Sequence, residues 1–299
     1  MRLDRKVWAA FAIACVGFLL TYRHVLMKLV SDWANDDNYS HGFLIVPVSL
    51  YLAWERRDVF KAAPLKPTSL GLVVIAGSLL VLLAGILGSE LFLTRVSIIG
   101  TVVGVLLYLF GWARLRVLAF PVAFLLLMIP LPAIIFNQIA FPLQLLASQA
   151  GEQTLRAAEI PVLREGNVLV LANTKLEVAE ACSGIRSLVS LLTLGIMFGY
   201  FTDQRLWVRL LIAASTVPVA ILANAARVAG TGIAAHYFGP QAAQGFFHDF
   251  SGWAVFLVAF MMMLAVQRFI IWLAPARLVV ASTHALAAVP TVPQQSQGS

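Results

Sequence analysis

Leu70-Gly71-Leu72-Val73-Val74-Ile75-Ala76-Gly77-Ser78-Leu79-Leu80-Val81-Leu82-Leu83-Ala84-Gly85-Ile86-Leu87-Gly88 contains no charged residue. A helix needs about 20 such residues to cross roughly 30 Å of hydrocarbon. The run has no period-two alternation, so a lipid-facing β-strand does not fit it. Backbone groups in lipid must pair within their own segment, which a helix achieves. The surrounding chain repeats the pattern. Its 299 residues are 61% hydrophobic and 12% charged, too little charge to cover a soluble domain of this length. Apolar runs fall at Val7 to about Tyr22, then 42–54, 70–88, 93–110, 117–136, 183–201, 208–231 and 250–273. They predict an all-α, polytopic membrane bundle of about eight transmembrane helices.

The first run follows Arg2, Arg5 and Lys6 as a signal peptide would, but no small-x-small cleavage site follows it, so an uncleaved first span is expected. Segment 137–150 is apolar with Asn137, Gln138, Gln144 and Gln149; it either extends the fifth span or lies along the interface. The longest loop between spans, 151–181, alternates weakly around Asn173-Thr174 and is expected to carry a short β-hairpin. Residues 1–275 read as one membrane domain. The tail, 276–299, is rich in Ser, Thr, Gln and Pro and reads as disordered and cytoplasmic.

Charge fixes the expected orientation. With the amino terminus inside, 13 of the 21 basic residues fall on the cytoplasmic side, notably in the short loops 55–69, 111–116 and 202–209. Six fall outside: Arg23, Lys28, Arg95, Arg156, Arg164 and Lys175. Cytoplasmic loops carry such an excess, so a multi-pass protein of the cytoplasmic (inner) membrane is predicted, with both termini on the cytoplasmic side. The net charge of +7 then reflects these loops. No dense basic tract with interleaved aromatics is present, which argues against nucleic acid. Neither a metal-ligand spacing nor a phosphate-cradling Gly loop occurs, and no cofactor is expected.

On this topology the unusual polar residues gather at one depth. Cys182 lies in Glu180-Ala181-Cys182-Ser183-Gly184-Ile185-Arg186, at the outer mouth of the sixth span. Asn224 and Arg227 lie in the last third of the seventh, three residues apart and so on nearly one helix face. His248 opens the eighth. His41, in Tyr39-Ser40-His41-Gly42, sits at another outer boundary. A membrane cysteine is often only a small packing residue, and an arginine near a span end can snorkel. Together, however, thiol, imidazole and guanidinium form an acyl-transfer set. The thiolate attacks, His248 moves the proton, and Arg227 stabilises the oxyanion. Arg186 lies one turn below Cys182 and favours its thiolate or pairs with a carboxylate.

At these residues the chain resembles the exosortase/archaeosortase family of membrane cysteine transpeptidases. The resemblance rests on Ala181-Cys182-Ser183-Gly184-Ile185-Arg186-Ser187, on Asn224-x-x-Arg227, on His248-x-x-x-Gly252-x-x-x-Phe256 and on Tyr39-Ser40-His41-Gly42, over about residues 38–260. It implies Cys182 as nucleophile with Arg227 and His248 as its catalytic partners. Asn224, Arg186, Ser183, His41 and Glu180 are the expected supporting residues. It also implies membrane-anchored protein substrates with a carboxy-terminal sorting helix behind a Pro-Glu-Pro-type motif, cut at the outer face and passed to a surface acceptor. Two other classes compete. A transporter or lipid-carrier translocase for exopolysaccharide would use Asn224 and Arg227 to hold an anionic substrate. A structural subunit of an export complex would perform no chemistry.

Overall fold

The computed structural model describes residues 5–172, 174–178, 184–203, 205–239 and 246–273, with the side chains of 5–8, 184–186 and 246–251 excepted. The chain is a polytopic helix bundle with one small sheet. Helix α1 spans Arg5–Asn35, α2 Gly42–Glu55, α3 Arg57–Ala62, α4 Leu70–Leu87 and α5 Leu91–Phe110. Then come α6 (Trp112–Val117), α7 (Ala119–Phe124), a 3₁₀ turn (Leu125–Met128) and α8 (Ala133–Ala157). Strands β1 (Val162–Glu165), β2 (Val168–Leu171) and β3 (Lys175–Glu177) precede α9 (Gly184–Thr202), α10 (Leu206–Phe238) and α11 (Phe246–Leu273). Among the described residues each apolar run is helical except the fifth, which is interrupted. Five helices (α1, α4, α5, α10 and α11) are long and apolar enough to cross a membrane, while α2 and α9 are shorter apolar helices.

Two segments depart from the simple reading of the runs. The first hydrophobic run ends near Tyr22, yet α1 continues to Asn35. Its polar half contains no glycine or proline, and Lys28 pairs with Asp32 one turn on at 2.8 Å. Arg23 and Lys28 are therefore helical residues, and Arg95, counted above with the outer segments, is 3% exposed within the first turns of α5. It pairs there with Asp32. The fifth run is no straight span. The 3₁₀ turn and Pro130 and Pro132 break it, and residues 119–128 meet α8 at 80°, as a broken span or a re-entrant segment. The stretch 137–150 belongs to α8.

Helices α4 and α5 form a close hairpin. A Cβ on Gly71 would stand 2.3 Å from the Tyr108 nitrogen and 2.6 Å from the Gly104 oxygen, so small residues let the two backbones touch. The turn is capped by Glu90, whose carboxylate accepts the Leu93 N–H at 2.8 Å. At the other end Gly111 (φ +80°) lies so close to the Lys66 carbonyl that a Cβ would overlap it at 1.8 Å. One core joins α1, α2, α5, α7 and the 3₁₀ turn around Tyr22, Trp33, Ile45, Ile98 and Phe124, and Tyr200 of α9 reaches into it. A second joins Leu191 of α9, Val219, Ala220 and Ala223 of α10, and Ala259 and Met263 of α11.

The sheet has order β1-β2-β3, antiparallel throughout, with Leu163 opposite Val170 and Leu169 opposite Leu176. The expected hairpin is β2–β3. Strand β1 was not legible beforehand: four residues show too little alternation, and the signal for its turn is a single glycine, Gly166 (φ +66°). Leu169, Leu171, Leu176 and Val178 pack onto Leu155 of α8 and onto Val228 and Ala235 of α10. The tail from 276 lies outside the described residues.

Candidate active site

Helices α9 and α10 run antiparallel at backbone contact. A Cβ on Gly195 would meet Thr216 Cγ2 at 2.4 Å, and one on Gly199 would meet the Arg209 Cα at 3.2 Å. Leu188 lines a crevice with Ala220, Ile221 and Asn224, and Leu143 of α8 closes it. Both helices rise about 1.5 Å per residue, so this register puts the start of α9, Gly184, level with the turn carrying Asn224 and Arg227. Chain connectivity makes that level significant, because Gly184 follows Cys182 by two residues.

Arg227 faces α11. A Cβ added to Gly252 would lie 3.0 Å from its Nη2 and 3.3 Å from its Cζ. The guanidinium thus rests against the one position of that motif where the backbone has no side chain. Its Nε is buried. His248 stands one turn earlier on α11, about 6 Å along the axis. Asn224 is 6% exposed on α10, one turn below Arg227. A half-buried guanidinium presents several fixed N–H donors, which suits it to bind an oxyanion.

The sheet supports this end of the bundle. Gly151 of α8 approaches Val228 so closely that a Cβ would stand 2.6 Å from Val228 Cγ1, and Gly232 is filled in the same way by Leu155. Ser148 Oγ donates to the Gly166 carbonyl at 3.0 Å, tying α8 to the β1–β2 turn. Glu152 accepts from Arg164 at 2.9 Å and pairs with Arg156 at 2.8 Å. Val178, directly after β3, is buried in the cluster that contains Val228. The chain therefore leaves the sheet beside α10, just before the segment that carries Cys182.

The candidate residues divide into three groups. Asn224 and Arg227 are fully described and share one turn of α10. Glu180, Cys182 and Ser183 lie outside the described residues, and only the backbone of Arg186 (in α9) and His248 (in α11) is described. His41 belongs elsewhere: its Nε2 is 3.2 Å from the Leu127 carbonyl, at the 3₁₀ turn. Burial holds its pKa below the usual histidine value, against hydrogen bonds to Leu127 and Asn38 that raise it. The rest of its motif is equally structural. Gly42 makes room for the Trp33 indole, with which a Cβ would collide at 2.3 Å, and Trp33 Nε1 donates to the Met128 carbonyl at 3.0 Å. Tyr39-Ser40-His41-Gly42 thus fixes the corner where α1, α2 and the 3₁₀ turn meet. The role of Gly252 was missed in the sequence, where its only sign was its place one turn after His248. Among the described residues no three of His, Cys, Asp or Glu come together to hold a metal ion.

A sequence model of the transmembrane exosortase family matches residues 33–265, well over half of the chain. No curated protein and no solved structure matches it.

Proposed function

Because this chain belongs to the transmembrane exosortase family, a membrane family of general transpeptidase and protein-sorting role, we propose that it is a cysteine transpeptidase with Cys182 as nucleophile. His248 takes the thiol proton as the sulfur attacks the scissile carbonyl of the sorting signal. Arg227 stabilises the oxyanion of the tetrahedral intermediate. The C–N bond then breaks, His248 gives its proton to the leaving amine, and a thioacyl-enzyme remains. An acceptor nucleophile, deprotonated by His248, attacks the thioester and releases Cys182 as the leaving thiolate. Asn224, Arg186, Ser183 and Glu180 act as supporting residues, and His41 contributes only indirectly, by holding the corner of α1, α2 and the 3₁₀ turn.

One observation carries the reading: Arg227 lies against Gly252, one turn from His248, at the level where α9 begins. Connectivity limits the Cys182 Cα to two steps of 3.8 Å from that of Gly184, roughly 7.6 Å. The excess of basic residues in the loops at the other end supports an inner-membrane orientation, with both termini cytoplasmic and the site on the outer face. A substrate anchored by its own helix then docks laterally with its scissile bond held at the right depth.

The test is a co-expressed, tagged substrate with a carboxy-terminal sorting helix. Cys182→Ala is expected to insert normally and to accumulate uncut substrate. In Cys182→Ser, the weaker nucleophile is expected to cut this substrate far more slowly. A thiol-directed peptide analogue should label Cys182 in the native protein, and that labelling should fall when His248 is replaced by Ala. Processing at the normal rate by a stably inserted Cys182→Ala protein would refute the assignment and favour a carrier or scaffold role.

A further inference from the structure

At the end of the bundle opposite Arg227, three elements bring two guanidinium groups onto one aromatic ring. Tyr200, near the end of α9, is 9% exposed and stacks on Phe120 of α7 with centroids 3.7 Å apart and planes 4° apart. The Arg56 guanidinium carbon, just after α2, lies 5.0 Å from the Tyr200 ring centre. That of Arg209, in the first turn of α10, lies 4.8 Å from it. The two cations are therefore no more than about 10 Å apart.

Among the described residues, the hydrogen-bond partners of both guanidinium groups are backbone carbonyls. Arg56 Nη1 donates to the Val117 carbonyl at 3.3 Å, and Arg209 Nε donates to the Asp203 carbonyl at 2.5 Å. Both bonds hold the planar groups in place through neutral acceptors. The nearby carboxylate of Asp203 is taken by Arg205, at 2.7 Å to Nη2 and 3.0 Å to Nε, although it also feels the Arg209 charge. Among the described residues, neither Arg56 nor Arg209 forms an ion pair with a carboxylate. Two like charges fixed around one ring attract a shared anion, and guanidinium forks suit the oxygens of a phosphate.

The position indicates where that anion comes from. Arg209 and Arg227 are 18 residues apart on α10, about 27 Å along a helix, close to the roughly 30 Å thickness of the hydrocarbon layer. With Arg227 near one edge, the ring and its two cations lie in the opposite headgroup layer. The rim fits that depth. Arg57 covers the exposed Trp54 ring at 4.2 Å, and Arg205 covers the exposed Trp207 ring at 5.2 Å. Tryptophans prefer the membrane interface, and basic pockets between helices there capture anionic headgroups.

We propose that Arg56, Tyr200 and Arg209 form a binding site for the phosphate of an anionic phospholipid. The headgroup bridges α2 to the α9–α10 pair and staples the amino-terminal helices to those that carry the candidate active site. The site is independent of the reaction at Cys182.

The test uses the full-length protein in neutral detergent, with phosphatidylglycerol, phosphatidylcholine or inorganic phosphate added. Bound lipid is counted by native mass spectrometry, and unfolding is followed thermally. Phosphatidylglycerol is expected to raise the apparent melting temperature by about 3 °C, while phosphatidylcholine and inorganic phosphate leave it unchanged. The Arg56→Gln/Arg209→Gln pair should lose that shift and about four-fifths of the retained phosphatidylglycerol, whereas Arg156→Gln, at the other end, keeps both. An equal shift from phosphatidylcholine would show that headgroup charge is irrelevant. An equal shift from inorganic phosphate would make this a soluble-anion site. Undiminished lipid retention by the Gln pair would also overturn the proposal. Should the Gln pair fail to fold, Arg56→Lys/Arg209→Lys decides. That pair keeps the charge and loses the fork, so retention about threefold weaker supports the site, and unchanged retention overturns it.

Discussion

Gly252→Ala adds a single methyl group where α11 meets Arg227. In the present backbone that carbon would lie 3.0 Å from Nη2 and 3.3 Å from Cζ. Ordinary contacts between such atoms are about 3.5–4.0 Å, so the guanidinium must recede by roughly half an ångström. Misplacing a catalytic group by a full ångström costs up to about 100-fold in rate. Half that displacement predicts about a tenfold loss in kcat, near 1.4 kcal/mol of transition-state stabilisation. The fold should not suffer, because alanine stabilises a helix interior by about 0.5–1 kcal/mol relative to glycine. Activity and stability are thus expected to move in opposite directions, which separates positioning from damage. The assay is cleavage of the tagged sorting-signal substrate in purified membranes, with kcat and KM measured separately, alongside a thermal melt. A double-mutant cycle then tests the route of the effect: in an Arg227→Ala background, itself slowed by about 10²–10³, Gly252→Ala should add nothing. A Gly252→Ala enzyme with unchanged kcat, or a tenfold loss repeated in the Arg227→Ala background, would refute the argument that Gly252 acts through Arg227.

Other parts of the fold give equally direct expectations. Asp32→Asn leaves Arg95, 3% exposed, without its counter-ion and should cost about 3 kcal/mol or more; pairing it with Arg95→Met should recover most of the lost melting temperature, and a melt unchanged by Asp32→Asn would deny the pair any role. Gly71→Leu places a side chain where the Tyr108 nitrogen would be 2.3 Å from its Cβ, so α4 and α5 must part at a cost of about 1–3 kcal/mol or more, read as a lower melting temperature. His41 has a depressed pKa in the folded chain. Below its ordinary value of about 6.5 the unfolded chain therefore holds more protons than the folded one, and stability rises with pH through that window and is lost as pH falls below it. Hydrogen-exchange protection in the first turn of α2, taken relative to the intrinsic exchange rate at each pH, should fall between pH 7.5 and pH 5 and lose that dependence in His41→Asn.

The helical, polytopic character could be read from the chain because hydropathy is summed locally, although only five helices, or six with the bent pair counted as one span, are long and apolar enough to cross a membrane against about eight expected. Any stretch like 70–88 leaves water whatever its neighbours are, and counting residues along each run is what places Cys182, Arg227 and His248 at one expected depth. Lengths and bends were less legible. The second half of α1 mixes charged residues with Val25, Leu26, Leu29 and Trp33, which blurs the end of its apolar run; it stays helical because nothing in it breaks a helix and Arg95 supplies Asp32 with a partner 63 residues away. The break before α8 has its prolines in plain view, but its 80° angle depends on what the 3₁₀ turn packs against: Trp33 and His41, from α1 and the start of α2.

The sequence by itself determined that the chain is a membrane helix bundle, since that follows from what each segment does with water. Only the tertiary structure decided that Arg227 lies on Gly252, that His41 serves a structural corner, and that Arg56 and Arg209 share one ring. Those are contacts between separate helices. Their register is set by where small residues allow close approach, and no local sum over residues contains that information.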